Sequence, residues 1–376
     1  MKQLSDANYI WQQHNWHNFF WDERVLLPLL SAVRLKQGKL IQQVQTLLDD
    51  DRIQAEAVIV AEETLKTAQI EGERYDPQSV RSSVYRHLGL DYSGLPRADR
   101  HIDGLVDVLF DATLHFTKPL TKQRLFGWHA ALFPTGYSGL YKIETGTFRT
   151  DEKGPMQVVS GPAGKETVHY IAPEAQKLPE EMAIFFQWWK ESNGTIDGLL
   201  RAGIAHFYFV TLHPFDDGNG RIARALTDMA LAQDDKLAKR YYSLSREIVK
   251  QRKQYYAILE QSQKGDSNIT DWLAWFITCF SGALESSEKL LATIFFKTTF
   301  WRNHAAVAIN SRQRKVLNKL LDTGKDNFIG GLTTRKYMSM TKVSRATAIR
   351  EINDLVKKSL IVQSEGKGRN VSYRIA

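Results

Sequence analysis

His213-Pro214-Phe215-Asp216-Asp217-Gly218-Asn219-Gly220-Arg221-Ile222-Ala223-Arg224 brings a titratable imidazole, two carboxylates, a glycine-rich loop and two arginines into one short stretch. Upstream, Phe207 to Leu212 is an apolar run with helical spacing, and Pro214 ends or kinks it. Gly218 and Gly220 permit backbone angles closed to other residues, while Asn219 tolerates left-handed conformations and supplies an amide. Such a turn aims successive N–H groups at one point and forms an anion nest. Ile222 to Leu226 starts a new helix, whose N-terminus adds partial positive charge for a phosphate. Arg221 and Arg224 are three apart, share a face, and can both reach a polyphosphate. Asp217 can hold Mg²⁺, a hard cation that takes one or two carboxylates plus phosphate oxygens. His213 titrates near neutral pH and can take a proton from an attacking hydroxyl. No lysine follows the loop as a Walker A site requires, and the acidic spacing is wrong for an EF-hand.

A plain helix–turn–helix connection with a capping Asp accounts for neither the His-Pro-Phe start nor the two arginines. The segment reads HPFxDGNGRxxR and so resembles the motif of the Fic family. The resemblance implies that His213 deprotonates a target hydroxyl, Asp217 binds Mg²⁺, and Gly218, Asn219 and Gly220 hold phosphates. It implies further that Arg221 contacts the polyphosphate and Arg224 reaches the γ-phosphate. The implied reaction moves AMP from ATP to a Ser, Thr or Tyr hydroxyl of a protein, the chain's own hydroxyls included. Chemistry of that kind mainly requires positioning, charge neutralisation and a base.

Far upstream, Thr67-Ala68-Gln69-Ile70-Glu71-Gly72 reads [ST]xxxE[GN], which resembles the inhibitory motif of Fic proteins. Ala55 to Glu71 is helix-forming and Gly72 reads as its C-cap, with Thr67 and Glu71 on one face. A carboxylate at a helix C-terminus opposes the macrodipole and gains from an outside cation. The resemblance names that cation as Arg224, with Glu71 standing where the γ-phosphate would lie. The bland alternative is a solvated Glu at a helix end.

Beyond Ile143 to Arg149, Met156 to Ser160 and Glu166 to Ile171 read as short strands around Gly161-Pro162-Ala163-Gly164. This resembles the family's flap, a hairpin whose edge docks the target backbone, here near residues 156–171; a hairpin without a role is the alternative. Tyr255, Tyr256 and Gln263-Lys264-Gly265-Asp266 resemble a nucleoside-side segment of some Fic proteins, with Gln263 where Asn is common. Core packing is the competing reading of both tyrosines.

The chain of 376 residues is long enough for two or three domains. No apolar run reaches 18 residues, so no membrane partner is expected, and the N-terminus lacks the apolar region of a signal peptide. The one cysteine, Cys279, sits among aromatics as a core residue, and a cytoplasmic setting fits. Charge is uneven: residues 301–376 hold 16 basic and 5 acidic residues, leaving 34 and 37 for the first 300. That tail suggests a separate module with an acidic partner. Its pattern is helical over Arg312 to Leu321, Thr333 to Ser339 and, capped by Ser344, through Lys357, with Ile349, Ile352 and Val356 as core face. Ile361 to Gln363 and Val371 to Ile375 then flank Gly366 to Asn370. This resembles a winged helix, which implies either DNA contact, with Lys367 and Arg369 on phosphates, or a protein-contact module. At the other end, Tyr9 to Leu48 is rich in aromatics, reads as a packed helical face, and resembles the helical extension of some bacterial Fic proteins.

The expected fold is mostly α: a helical regulatory region over 1–90, a helical Fic core with a small β-hairpin flap over 91–295, and a winged helix over 300–376. The expected function is Mg²⁺-dependent protein adenylylation restrained by Glu71, with ATP as substrate. Two alternatives stay open. One is AMP removal or transfer of another nucleotide or phosphate group on the same fold. The other is a DNA-binding regulator with a nucleotide-sensing Fic core. The resemblance also allows a homodimer.

Overall fold

The structure, a computed structural model, describes residues 9–152, 154–162, 164–324, 328–364 and 371–376. It is mostly helical and divides into two compact units. One comprises residues up to Thr46 and Glu56–Glu285, the other Leu47–Ala55 and Ser286–Ala376.

In chain order the helices begin with α1 (Glu23–Gln45), α2 (Asp49–Ile70), α3 (Pro77–His87), α4 (Arg100–Leu114) and α5 (Lys122–Leu132). Two small hairpins follow, β1 (Tyr137–Ser138) with β2 (Tyr141–Lys142), and β3 (Gln157–Ser160) with β4 (Thr167–Ile171), both antiparallel. Then come α6 (Leu178–Glu191), α7 (Gly198–Leu212), α8 (Asn219–Asp235), α9 (Leu244–Lys250), α10 (Arg252–Gln263) and α11 (Thr270–Asn303).

The first unit is built around α7 and α8. Asp197 caps α7 by accepting from the N–H groups of Leu199 and Leu200. Every residue from Leu199 to Leu212 is buried, as expected of a helix with no polar face. Gly203 is required by packing, since a Cβ there would lie 2.9 Å from the Phe276 ring of α11. Beside it, Trp272 donates its indole N–H to the Gly203 carbonyl at 2.9 Å.

The N-terminal aromatics pack as expected but do not form the expected helix. Only Ile10–Gln12 makes a 3₁₀ turn, and α1 starts at Glu23. Asn15 takes a left-handed φ of 54°, and the Phe20 backbone bridges to the Ser267–Ile269 segment through its N–H and C=O, so no continuous helix passes through. Trp16 and Phe19 meet Tyr208 of α7 edge-on at 5.1 and 5.3 Å. Cys279 is buried, as a core residue should be.

The second unit holds α12 (Ser311–Leu321), α13 (Thr334–Thr341), α14 (Arg345–Lys357) and the hairpin of β5 (Ile361–Gln363) and β6 (Tyr373–Ile375). Ser344 caps α14 through the Thr347 N–H, as expected. The inward face of α14 differs from expectation: Ala348, Ile352 and Leu355 are buried, while Ile349 and Val356 are exposed. The helix is turned by Glu351, which is buried because Tyr337 donates to it at 2.7 Å, Asn310 at 3.0 Å and Arg312 at 3.1 Å. Residues Gly366–Asn370, with Lys367 and Arg369, lie outside the described residues.

Candidate active site

The α7–α8 junction makes the site. His213 ends α7 in the left-handed conformation, φ 49°, a region that few non-glycine residues adopt. Its Nδ1 lies 3.1 Å from the Val210 carbonyl. A carbonyl only accepts, so Nδ1 carries the proton and Nε2 keeps a free lone pair. Desolvation pushes the imidazole pKa down to about 4, so the ring is neutral at physiological pH.

The loop that follows is braced from within. Asn219 accepts from the Phe215 N–H at 3.0 Å and donates to the Phe215 carbonyl at 2.8 Å. The Asn219 side chain thus braces the turn. Gly218 has φ +81° and caps α8, and a Cβ there would lie 2.9 Å from the Phe133 ring. The two glycines are not equivalent. The helix starts at Asn219, three residues before its expected start at Ile222, so Gly220 is already helical. What Gly220 provides is room, because a Cβ there would collide with the Glu71 carboxylate. The N–H groups at the start of α8 still form a helix N-terminus facing the loop.

Asp217 accepts from the Gly218 N–H at 2.5 Å and from the Ser138 hydroxyl on β1, and stands 3.8 Å from Arg221. It remains 42% exposed. One accessible carboxylate beside a hydroxyl and a helix N-terminus fits the donor set of Mg²⁺, which completes its shell with phosphate oxygens and water.

Both arginines are buried and both are occupied by carboxylates. Arg224 donates to Glu71 Oε1 at 2.6 Å, to the Thr67 hydroxyl at 2.5 Å and to the Thr67 carbonyl at 3.3 Å. Burial alone would lower its pKa, but the Glu71 carboxylate and its neighbours hold it raised. Arg221 donates to Glu73 Oε1 at 3.0 Å and stacks on Phe133 at 4.8 Å. Glu73 is itself steadied by the Tyr75 hydroxyl at 2.6 Å. The carboxylates are aimed by the end of α2. Gly72 takes φ 88°, the Glu73 N–H bonds the Ala68 carbonyl at 3.0 Å, and the Gly72 N–H bonds that of Gln69 at 3.1 Å. These two bonds make a Schellman cap. One turn before Thr67 on α2, Glu63 accepts from Ser243 at 2.7 Å and from the Ser245 N–H at 3.1 Å, locking the helix to the N-terminus of α9.

Among the expected nucleoside contacts, Tyr255 is buried with its hydroxyl 2.8 Å from His206 Nε2, and Gln263 is buried against Thr211 at 3.3 Å. Tyr256 is open, 41% exposed, its hydroxyl reaching the Ile70 carbonyl at 3.3 Å, and Lys264, Gly265 and Asp266 are exposed as well.

Three contributors carry no local sign of their role. Arg149 is fully buried and donates to the His213 carbonyl at 2.8 Å, the Pro173 carbonyl at 2.5 Å and Asp151 at 2.9 Å, tying the loop to the base of the β3–β4 hairpin. Ser138 and Glu73 reach the site from distant segments. The only available signal was composition: a lone Arg after Gly-Thr-Phe, and a second Glu two residues beyond the first.

Residues 119–231 match the model of the Fic/DOC family, and residues 9–90 match that of a domain of unknown function, DUF4172. Over 116 residues the chain is 34% identical to the protein adenylyltransferase fic-1 of Caenorhabditis briggsae, covering 31% of this chain and 21% of that protein. Over 118 residues it is 28% identical to the protein adenylyltransferase Fic of Drosophila grimshawi, covering 30% and 23%. The chain thus matches about a fifth of the length of these relatives. A Fic family protein from Desulfovibrio desulfuricans G20 superposes with a TM-score of 0.51 at 19% identity, over 93% of this chain and 96% of that one. A Fic domain containing signaling protein from Bacteroides thetaiotaomicron gives 0.51 at 19%, over 70% and 96%. These two show a shared fold. The helical core around the α7–α8 junction thus lies within the segment that matches the Fic/DOC family model, and its fold is shared with the Desulfovibrio desulfuricans protein.

Proposed function

We propose that this protein transfers AMP from ATP to a hydroxyl group of a protein, and that the end of α2 restrains the reaction. The observation that carries the reading is the neutral His213, its Nδ1 anchored and its Nε2 free, at the head of a loop leading to two buried arginines. The attacking hydroxyl oxygen forms a bond to the α-phosphorus, the bond from that phosphorus to the bridging oxygen breaks, and pyrophosphate leaves. The hydroxyl proton passes to His213 Nε2. Arg221, Arg224 and the N-terminus of α8 hold the polyphosphate in line. Asp217, with Ser138 beside it, would hold Mg²⁺, which neutralises charge on the phosphates when bound. The exposed strand of the β3–β4 hairpin is where an extended target segment would dock.

Glu71 and Glu73 hold the two arginines that the reading gives to the polyphosphate, so ATP must displace them. The test is incubation of the protein, its Glu71→Gly form, and Glu71→Gly with His213→Ala, with Mg²⁺ and α-labelled ATP. Label on protein, the chain itself included, should rise with Glu71→Gly and vanish with His213→Ala. Absence of label in every form while ATP binds would turn the reading towards AMP removal or another donor.

A second reading concerns the tail. Residues 301–376 carry a net charge of +11, and Arg345 and Arg350 are exposed on α14. That combination favours a nucleic-acid partner. A gel-shift series on the full chain, with and without Arg345→Ala and Arg350→Ala, across salt concentrations tests it. Retention of binding by the double variant at every salt concentration would remove α14 from the interface.

A further inference from the structure

One cluster of reactive side chains lies apart from the phosphate site. Ser160, at the exposed end of β3, has its Oγ 2.6 Å from His169 Nε2. His169, on β4, has its Nδ1 2.8 Å from Glu260 Oε2 on α10. Three elements thus bring a hydroxyl, an imidazole and a carboxylate into line. A carboxylate bonded to Nδ1 fixes the tautomer in which Nδ1 carries the proton. Nε2 is then the acceptor, and the serine hydroxyl donates to it. This is the arrangement in which an imidazole activates a serine oxygen as a nucleophile.

The hairpin is shaped to make this contact. Val158 pairs with Tyr170 and Val159 with Val168, so His169 is the extra residue of a β-bulge. Bulges re-aim a side chain at the expense of one ladder pair. Directly after the serine, Gly161 takes φ +103°, and a Cβ there would lie 2.9 Å from the Lys165 carbonyl oxygen. The far end is steadied too, since Lys264 donates to the other Glu260 oxygen at 2.5 Å. A decorative surface hydrogen bond needs neither the bulge nor the third member.

We propose that Ser160 is an activated nucleophile that accepts an acyl group from an activated ester or thioester. The Ser160 Oγ attacks the carbonyl carbon and the Oγ–C bond forms. The bond from that carbon to the leaving oxygen or sulfur breaks. The serine proton passes to His169 Nε2 and from there to the leaving group. Glu260 is a positioning residue, acting through His169. The proposal is independent of nucleotide chemistry at His213.

A fluorophosphonate reads the same nucleophile: the Oγ–P bond forms, the P–F bond breaks, and fluoride leaves while His169 holds the proton. The full chain is incubated with the probe, and labelled residues are mapped and timed by mass spectrometry. General-base assistance is worth about 10²–10⁴-fold. Ser160 should therefore label at least about 10²-fold faster than in His169→Gln. Added imidazole should restore labelling in His169→Gly. Glu260→Gln should slow labelling and Glu260→Asp recover part of it, a pattern that loss of hairpin structure would not produce. His213→Ala should leave the rate unchanged. Labelling of Ser160 no faster than in the heat-unfolded chain, or a rate indifferent to His169→Gln, would overturn the proposal.

Discussion

Removing the Glu71 carboxylate tests the proposed restraint most directly, and the structure sets the size of the expected effect. The Arg224 side chain is 2% exposed and that of Glu71 is 28% exposed, joined at 2.6 Å. A hydrogen bond to a charged group in such a setting contributes about 1.5–3 kcal/mol. At about 1.4 kcal/mol per tenfold, ATP should bind Glu71→Gly about 10- to 150-fold more tightly than it binds the parent. The neighbouring pair predicts a contrast. Glu73 is 37% exposed, and an ion pair open to solvent is worth about 0–1 kcal/mol. Glu73→Gln should therefore improve binding by no more than about fivefold. The assay is calorimetric titration of ATP with Mg²⁺ in a His213→Ala background, which prevents turnover. Thermal unfolding gives an independent check: without nucleotide, Glu71→Gly leaves Arg224 buried and unpaired and should lower Tm, and ATP should raise Tm more than in the parent. Equal affinities for the parent and Glu71→Gly, or a larger gain from Glu73→Gln, would refute the reasoning.

Three further outcomes follow from the site. A base must be deprotonated to act, and the His213 pKa is pushed down to about 4, so AMP transfer by Glu71→Gly should hold from pH 7 to about pH 5 and fall only below that; a half-maximal point near 6.5 in the pH–rate profile would contradict the assignment. Gly218→Ala places a Cβ at φ +81° and 2.9 Å from the Phe133 ring, and should cost about 2–5 kcal/mol in denaturant unfolding. Arg149→Met strands the buried His213 and Pro173 carbonyls, and should cost about 3 kcal/mol while abolishing AMP transfer in samples that remain folded by circular dichroism.

The site was legible wherever its residues lie close together in sequence. His213 to Arg224 carries imidazole, loop and arginines on one stretch, so the candidate site is visible in the sequence itself. The end of α2 was legible because Gly72 announces a helix cap, and the cap aims its neighbours. Arg149, Ser138 and Glu73 were not, because their partners are set by tertiary packing across long separations. Gly220 was misread for a related reason: its missing side chain answers to a carboxylate about 150 residues away, not to the local turn. On α14 the apolar pattern allowed two faces, and only the donors around Glu351 chose between them. The N-terminal aromatics showed that packing demand can be satisfied without a regular helix.

Glu63, Thr67 and Glu71 follow one another at every fourth position along α2, and each is bonded to the core. Their energies are unequal in a useful way. Unwinding the final turn breaks the contacts of Thr67, Ile70, Glu71 and Glu73, while the Glu63 anchor one turn before Thr67 keeps the rest of the helix seated. Releasing the arginines therefore resembles lifting the end of a zipper, a subglobal opening with its own small free energy, rather than undocking a domain. On the proposed reading, substitutions confined to residues 67–73 should set the resting activity over a wide range, like the trim on a rheostat, while the Glu63 anchor keeps the rest of α2 in place.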